Sequence, residues 1–144
     1  MSWIMDGSMA GALGLPDELS HRAERFLEVM LAGAEVWVPP LWRCEMSNLL
    51  VAAVRRRRLT PATMKHLAGL YASLPVLADA PPSPAISGAI QRLAIQHGLS
   101  ACDAAYLELA HRLVAGLATL DRDLERAAKS SGVPLFEVGG NPSG

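Results

Sequence analysis

The stretch SACDAAYLELAHRLVAGLATLD, residues 100–121, decides the fold class of this chain. It opens with the S-x-x-D form of a helix-capping signal, which predicts a helix from Ser100 to about Leu113. The apolar run Gly116–Leu120 then predicts a buried strand, and Asp121 is placed to cap a further helix that should run to about Ser130. A helix, a buried strand and a second helix in close succession are typical of a sheet whose faces are covered by helices.

The remainder of the chain repeats this alternation of short strands and longer helices. Thr60-Pro61 and Ser83-Pro84 each combine an N-cap residue with a proline at the first helical position, which predicts helices at 61–73 and 85–97. Periodicity predicts further helices at about 16–31 and 41–57, and strands at 2–5, 35–38, 75–78 and 133–138. We therefore predict an α/β fold, a three-layer α/β/α sandwich with a central, mainly parallel sheet of about five strands. One domain should occupy residues 1–138, followed by a flexible tail at 139–144.

The composition excludes several classes of protein. Of the 144 residues, 51% are apolar and 19% are charged, which excludes wholesale disorder and allows a sizeable core. A net charge of −1 argues against a polycation that holds nucleic acid by bulk charge alone. Cys44 and Cys102 are too few for a disulfide framework or a cysteine-rich zinc site, and they indicate a reducing compartment. Because neither a long apolar run nor a basic leader segment occurs, we expect a soluble, cytoplasmic protein with no membrane partner.

Four acidic residues are predicted at one edge of the sheet, the edge where ligands gather in parallel α/β folds. They lie just past a strand or in the first turns of a helix: Asp6, Glu45, Asp103 and Asp121. Each has apolar neighbours in the sequence, where a solvated surface charge is less expected. Carboxylates held together repel one another, and a hard divalent cation compensates that repulsion. Oxygen ligands suit Mg²⁺ or Mn²⁺, and such a site suits metal-assisted phosphodiester hydrolysis with one ion or two.

Simpler roles exist for most of these acids when each is taken singly. Asp6 and Asp121 could be turn or capping residues, and Asp103 could belong only to a capped turn. Glu45 has no such role, because it lies inside an apolar stretch of a predicted helix. Asp123, two positions beyond Asp121, is more simply explained as a first-turn acid favoured by the helix dipole. The combination of all four acids favours the metal site.

Four segments resemble, in their order and spacing, the signatures of the PIN-domain ribonucleases, and among them the VapC-type toxins of bacterial toxin–antitoxin pairs. Residues 4–8 match the opening "D-x-S", and residues 39–50 match a proline followed by an "E-x-x-N-x-L" helix. Residues 97–110 are similar to the second signature, and residues 117–124, followed by 127–128 and 132–133, resemble the third. The sequence departs from the family at Gly7, where alanine is usual, and at Cys102, where an aromatic residue is common.

The resemblance implies a metal-dependent endoribonuclease that hydrolyses RNA phosphodiester bonds with Mg²⁺ or Mn²⁺. Carried over residue by residue, it assigns metal binding and catalysis to Asp6, Glu45, Asp103 and Asp121. It assigns supporting or substrate-side roles to the polar residues Ser8, Asn48 and Thr119. It also implies a homodimer and a cognate antitoxin that covers the active site, for which the apolar helices predicted at 16–31 and 60–73 are candidate surfaces.

A run of four arginines, Arg55, Arg56, Arg57 and Arg58, has two interpretations. Arginines at a helix C-terminus complement the helix dipole and solvate the helix end, which is the simpler explanation. The functional interpretation is a patch that contacts RNA phosphates and makes binding salt-dependent. The four histidines share no spacing, and none is assigned to catalysis.

Two rival functions belong to other classes. The first is a catalytically silent PIN-like module that binds protein or RNA, against which the presence of all four acids argues. The second is a phosphoryl-transfer or receiver-like α/β domain. It is poorly supported because the chain has no glycine-rich phosphate loop and its lysines are only Lys65 and Lys129.

Overall fold

Within residues 1–15 and 20–137, which the computed structural model describes, four short parallel strands form one sheet. They are β1 (Trp3–Met5), β2 (Val36–Val38), β3 (Val76–Ala78) and β4 (Gly116–Ala118). Their order across the sheet is β3-β2-β1-β4, with Trp3 paired to both Val36 and Gly116. β1 therefore lies inside the sheet, and the carboxyl ends of all four strands share one edge.

The same residues contain seven helices: α1 (Gly7–Gly14), α2 (His21–Leu31), α3 (Leu41–Arg55), α4 (Pro61–Ser73), α5 (Pro84–His97), α6 (Ala101–Leu113) and α7 (Arg122–Ser131). The predicted caps Thr60 and Ser83 accept amide hydrogen bonds at the starts of α4 and α5. Ser100 does the same for α6, and Asp121 for α7. The predicted α/β fold around a parallel sheet is confirmed. None of the helices described is long and apolar enough to cross a membrane.

The predicted fifth strand, at 133–138, is wrong in its extent. Over residues 133–137, the part of this segment that the structure describes, a single parallel bridge forms, between Leu135 and Leu117. The Pro134 carbonyl accepts a hydrogen bond from the Leu117 amide at 2.8 Å, but a proline has no N–H with which to extend the ladder. The last residue of the predicted strand, together with the predicted tail, lies outside the described residues.

The helix predicted at 16–31 is wrong in its start. α2 begins at His21, because Ser20 has extended backbone angles and its side chain accepts the Ala23 amide as an N-cap. Residues 16–19 lie outside the described residues. The prediction followed the apolar periodicity and did not take into account that Ser20 is an N-cap at which the helix begins.

The hydrophobic core anchors the two helices that carry Glu45 and Asp103. Trp42 of α3 and Tyr106 of α6 are the largest fully buried side chains, at 0% and 1% exposure. Burial of a large apolar side chain contributes up to about 3 kcal/mol each. Because Trp42 and Tyr106 lie within one turn of Glu45 and Asp103, the same packing that stabilises the fold fixes these acids at the edge of the sheet.

A charged bridge ties the edge strand β3 to α6. Asp79 follows β3, Glu108 is buried on α6, and both carboxylates accept hydrogen bonds from Arg112. The Arg112 Nη2 to Asp79 Oδ2 distance is 2.6 Å, and the Arg112 Nε to Glu108 Oε2 distance is 2.9 Å. The Arg112 hydrogen bond lowers the pKa of Asp79. Asp79 lies at the same edge as the candidate acids, yet its charge is neutralised by a partner.

Replacing Arg112 with alanine should lower the free energy of unfolding by about 2 kcal/mol. The change leaves Glu108, 7% exposed, without its cation, and an uncompensated buried charge is costly; the 32% exposure of Arg112 moderates the effect. Denaturant unfolding measures this loss. Arg25→Ala is the matched control, because the Arg25–Glu28 pair is solvent-exposed and should contribute under about 0.5 kcal/mol. Equal losses in the two variants would show that the bridge acts as an ordinary surface ion pair.

Candidate active site

Asp6 is the most deeply buried of the four predicted acids, with 5% of its surface exposed. It follows β1 directly and caps α1, because its Oδ1 accepts a hydrogen bond from the Met9 amide at 2.9 Å. The Ser8 hydroxyl donates to the same oxygen at 2.8 Å, and the Thr119 hydroxyl donates to Oδ2. Two of the three supporting residues suggested by the sequence thus contact Asp6.

The hydroxyls of Ser8 and Thr119 also join the ends of β1 and β4. Ser8 Oγ accepts the Leu120 amide at 2.9 Å, and Thr119 Oγ1 accepts the Asp121 amide at 3.0 Å. Asp121 in turn caps α7 through a 2.9 Å hydrogen bond from the Leu124 amide. Asp6 and Asp121 are therefore held in one network that spans two strand ends and two helix starts.

Burial raises the pKa of Asp6 to about 6, although the hydrogen bonds from Thr119, the Met9 amide and Ser8 lower it. The negative charge of Asp121 contributes a smaller rise. A buried carboxylate with too little compensation costs free energy when it ionises. Such perturbed acids are concentrated at functional sites.

Glu45 on α3 lies near the start of α1. Its Oε1 accepts a hydrogen bond from the Tyr106 hydroxyl at 3.0 Å. Its Oε2 lies 3.2 Å from the point that a Cβ on Gly7 would occupy, so glycine at this position leaves room for the carboxylate. Burial raises the pKa of Glu45, the Tyr106 hydrogen bond opposes that rise, and the charges of Asp103 and Asp6 add to it.

Tyr106 is the site residue that the sequence analysis missed. It is 1% exposed, and burial, followed by the charge of Glu45, raises the pKa of its hydroxyl, which therefore stays protonated and donates. The signal was present: Tyr106 lies three residues after Asp103, and residues at this spacing share a helix face.

The four acids form one electrostatic group. Burial raises the pKa of Asp103, and the charges of Asp121 and Asp123 raise it further. The charge of Asp121 also raises the pKa of Asp6, and the charges of Asp103 and Asp6 raise the pKa of Glu45. Each of the four acids therefore interacts electrostatically with two of the others. Among the described residues, no arginine, lysine or histidine forms an ion pair with any of the four. The site carries uncompensated negative charge.

The carboxylate oxygens of these four acids are suitable ligands for a hard divalent cation. The described side chains do not, however, converge on a common position for such an ion. Carboxylate oxygens supported by hydroxyl groups are the ligands that Mg²⁺ and Mn²⁺ prefer. Across residues 1–15 and 20–137, however, no three Asp, Glu, His or Cys side chains are grouped so as to hold a metal ion. Asp6 and Asp121 are turned toward amides at the starts of α1 and α7.

A cleft of about 520 Å³ opens beside Glu45. Its walls come from the start of α1, from α3 and from the segment between β4 and α7, and are formed by Gly7, Ser8, Ala12, Glu45, Leu49 and Leu120. This volume is in the range of ligand-binding clefts, about 300–1,000 Å³. The lining combines the apolar side chains of Leu49 and Leu120 with the carboxylate of Glu45 and the hydroxyl of Ser8, which suits a polar ligand that also packs an apolar part.

Two polar residues considered from the sequence lie outside this network. Asn48 is exposed one turn beyond Glu45, and its side chain has no hydrogen-bond partner among the described residues. Asp123 is 71% exposed and pairs with Arg126 at 3.4 Å in the first turn of α7, as its position suggested. Cys44 and Cys102 are exposed, free thiols.

The arginine run lies at the opposite end of α3 from Glu45. α3 ends at Arg55, and Arg56, Arg57 and Arg58 form the turn that follows; all four are exposed. The Arg57 amide donates to the Val54 carbonyl at 3.0 Å, so the turn has a defined shape. Arg57 has a φ of 57°, a left-handed conformation that costs a residue other than glycine about 1 kcal/mol.

Comparison with known proteins identifies the family. Residues 4–130, a range that includes all four acids, match the sequence model of the PIN domain. The chain belongs to the PIN-domain family. This PIN-domain protein is also 31% identical over 125 residues to Ribonuclease VapC3 of Pyrobaculum aerophilum. The aligned region covers 86% of this chain and 92% of the relative. The resemblance noted in the sequence is thereby confirmed.

Solved structures share the fold of this PIN-domain protein. VapBC2 from Rickettsia felis, bound to a DNA fragment from its promoter, has a TM-score of 0.66 at 12% identity, covering 94% of this chain and 97% of the other. VapC20 from Mycobacterium tuberculosis, a toxin that cleaves the sarcin–ricin loop, has a TM-score of 0.62 at 19% identity, covering 87% and 94%. These likenesses establish the fold, and the sequence relationship rests on VapC3.

Proposed function

We propose that this PIN-domain protein is an endoribonuclease of the VapC toxin type, which hydrolyses RNA phosphodiester bonds with Mg²⁺ or Mn²⁺. The observation that carries the proposal is the position of four acids at the ends of strands or in the first turns of helices along one edge of the sheet, without an ion-pair partner among the described residues: Asp6, Glu45, Asp103 and Asp121. The relationship to VapC3, a ribonuclease by name, supports the choice of RNA as substrate.

The four acids are the residues that would hold a divalent cation. A divalent cation held there would supply an activated water and would stabilise the charge that develops on the phosphate oxygens. Ser8 and Thr119 fix the Asp6 carboxylate by hydrogen bonds, and Tyr106 fixes Glu45. The cleft beside them receives the scissile part of the RNA strand.

Cleavage of total RNA by the purified protein tests this proposal. We expect discrete products with Mg²⁺ or Mn²⁺ and none with EDTA. Products that persist in EDTA would contradict the metal dependence, and their absence under every condition, with a folded protein freed of any antitoxin, would contradict the ribonuclease.

A silent PIN-like binding module is the second candidate, and one observation favours it. Among the described residues, no three potential ligands are already grouped to hold an ion. Titration calorimetry with Mn²⁺ separates the two functions. Heat of binding that is lost in Asp103→Asn supports the enzyme, whereas no heat from the wild-type protein supports the silent module.

Tyr106→Phe should lower kcat/KM for RNA about tenfold, because residues that orient metal ligands typically contribute factors of 10–100. Loss of the hydrogen bond that lowers the Glu45 pKa should also move the acidic limb of the pH–rate profile to higher pH. Tyr71→Phe is the matched control. Its hydroxyl donates to the Ala10 carbonyl at 2.9 Å, so its loss should cost about 1 kcal/mol of stability and leave the profile in place. Equal profiles for both variants would contradict the role of Tyr106.

We further propose a cognate antitoxin as partner, as the VapBC name of the Rickettsia felis complex suggests. Leu31 of α2 and Leu70 of α4 are large apolar side chains with 67% and 49% exposure, and they lie on the two helices expected to contact it. Action in the cytoplasm fits an RNA substrate and two exposed, free cysteines.

A homodimer through α5 is the remaining part of the proposal. α5 has apolar residues along its length, yet none of its residues is buried, and Ile95 is 86% exposed. Ile95→Asp should shift the protein from dimer to monomer in light scattering. Val114→Asp, at a site 88% exposed but outside α5, is the control and should leave the dimer intact. A wild-type monomer, or equal effects of both changes, would contradict a dimer through α5.

A further inference from the structure

The side of α3 that lines the cleft leads from the acids to the arginine turn. Four residues spaced by four, three and four positions lie on one face of α3: Glu45, Leu49, Ala52 and Arg56. The first three are partly buried and Arg56 is exposed, so this face runs along the boundary between protein and solvent. Glu45 and Leu49 also line the cleft itself.

The distance along this face is set by helix geometry. Arg56 follows Glu45 by eleven residues, which is about three turns, or roughly 16 Å at 1.5 Å per residue. A nucleic-acid strand with a rise of about 3.4 Å per nucleotide covers this distance in roughly five nucleotides. A strand cleaved at the acids could therefore reach the arginine turn along a single helix.

The turn presents its positive charge to solvent. Arg55, Arg56 and Arg57 are exposed, and their side chains have no ion-pair or hydrogen-bond partner among the described residues. Arg58 already has an interaction within the chain and is not counted. Arg57 occupies a left-handed backbone conformation that favours glycine. An arginine is present at this position although the conformation disfavours it.

We propose that Arg55, Arg56 and Arg57 form a phosphate-binding subsite for the RNA strand, about five nucleotides from the scissile bond along α3. The subsite rests on the proposed ribonuclease function. Its chemical reason is that the acids repel a polyanion, and guanidinium groups attract and hold phosphates. Binding energy gained at the turn offsets this repulsion and places the strand in the cleft.

Fluorescence anisotropy in EDTA tests the subsite without any cleavage, using an unstructured twelve-nucleotide RNA with a fluorescent label and KCl from 50 to 300 mM. The test variant combines Arg55→Gln, Arg56→Gln and Arg57→Gly. We expect binding at least about tenfold weaker at low salt, and a salt slope smaller by about 2, since each phosphate contact on a single strand contributes about 0.7.

The control variant combines Arg25→Gln, Arg92→Gln and Lys129→Gln, which removes the same charge from exposed positions elsewhere. It should bind RNA like the wild-type protein. Arg57→Gly alone is a second check on folding, because it should raise the melting temperature while weakening RNA binding.

Equal RNA affinities and salt slopes for the two triple variants would overturn the subsite, whether or not the wild-type protein cleaves RNA. Unchanged RNA binding with weakened binding of an acidic antitoxin peptide would overturn it in favour of a protein contact. A selective loss in the test variant supports the subsite even if the separate cleavage assay fails, so failure of the ribonuclease and failure of the subsite are distinguishable.

Discussion

Asp6→Asn is expected to reduce RNA cleavage by at least about a thousandfold while the fold is retained. The substitution removes a negative oxygen from the most deeply buried of the four acids, and stabilisation of several kcal/mol at a metal-assisted site corresponds to a rate factor of this size. An amide oxygen at position 6 can still accept the Met9 amide, so the start of α1 should survive. The measurement is single-turnover cleavage of a mapped RNA in Mn²⁺.

Asp123→Asn is the matched control for this prediction. Asp123 has the same chemistry and lies two residues from Asp121, but it is 71% exposed and paired with Arg126. It should keep cleavage within about threefold of wild type, because it affects the site only through its charge on Asp103. Retained cleavage in a metal-purified Asp6→Asn protein would show that the acidic group is not the catalytic centre.

The metal-free protein is expected to lose stability as the pH rises from about 4 to about 7. The pKa of Asp6 is about 6 in the folded protein against its ordinary value of 3.8, so the folded state binds more protons than the unfolded state over this range. Its contribution is therefore favourable at low pH and is lost as the pH rises through the folded pKa. A difference of about two pKa units corresponds to roughly 3 kcal/mol.

Unfolding in urea at several pH values, with EDTA present, measures this dependence. Glu45 and Asp103 also have raised pKa values and act in the same direction, whereas Asp79, with a lowered pKa, opposes them. The contribution of Asp6 is the difference between wild type and Asp6→Asn. We expect the variant to be equally stable near pH 4 and more stable by about 1–3 kcal/mol near pH 7.5. Parallel curves would contradict a buried, uncompensated charge at Asp6.

Local sequence signals predicted the parts of the fold that depend on neighbouring residues. Each predicted N-cap depends only on a side chain and the backbone amide three residues later. All four form as predicted: Thr60, Ser83, Ser100 and Asp121. Because parallel strands end at one edge, correct strand order along the chain was enough to bring distant acids to that edge.

Features that depend on tertiary contacts were out of reach. The spacing from Asp103 places Tyr106 on the same helix face, but its hydrogen-bond partner Glu45 lies 61 positions away and cannot be identified from local sequence. The prediction of the fifth strand was wrong in its extent because it relied on the apolar residues and did not consider that Pro134 has no N–H to donate to the sheet. The arginine run was interpreted as a helix end, which it is, but the sequence did not reveal that Arg56 shares a face with Glu45 and the cleft.

The double use of Asp6 and Asp121 as helix caps restricts how such a protein can change over evolutionary time. A descendant that abandons catalysis gains nothing from acids at these positions, yet it still requires a side-chain acceptor to begin α1 and α7. Drift at positions 6 and 121 should therefore be confined to asparagine, serine and threonine. Positions 45 and 103 cap no helix, so they can take a wider range of residues once catalysis is lost. A survey of homologous sequences should thus recognise inactive copies first at positions 45 and 103, and acids retained at 6 and 121 alone are poor evidence of an enzyme.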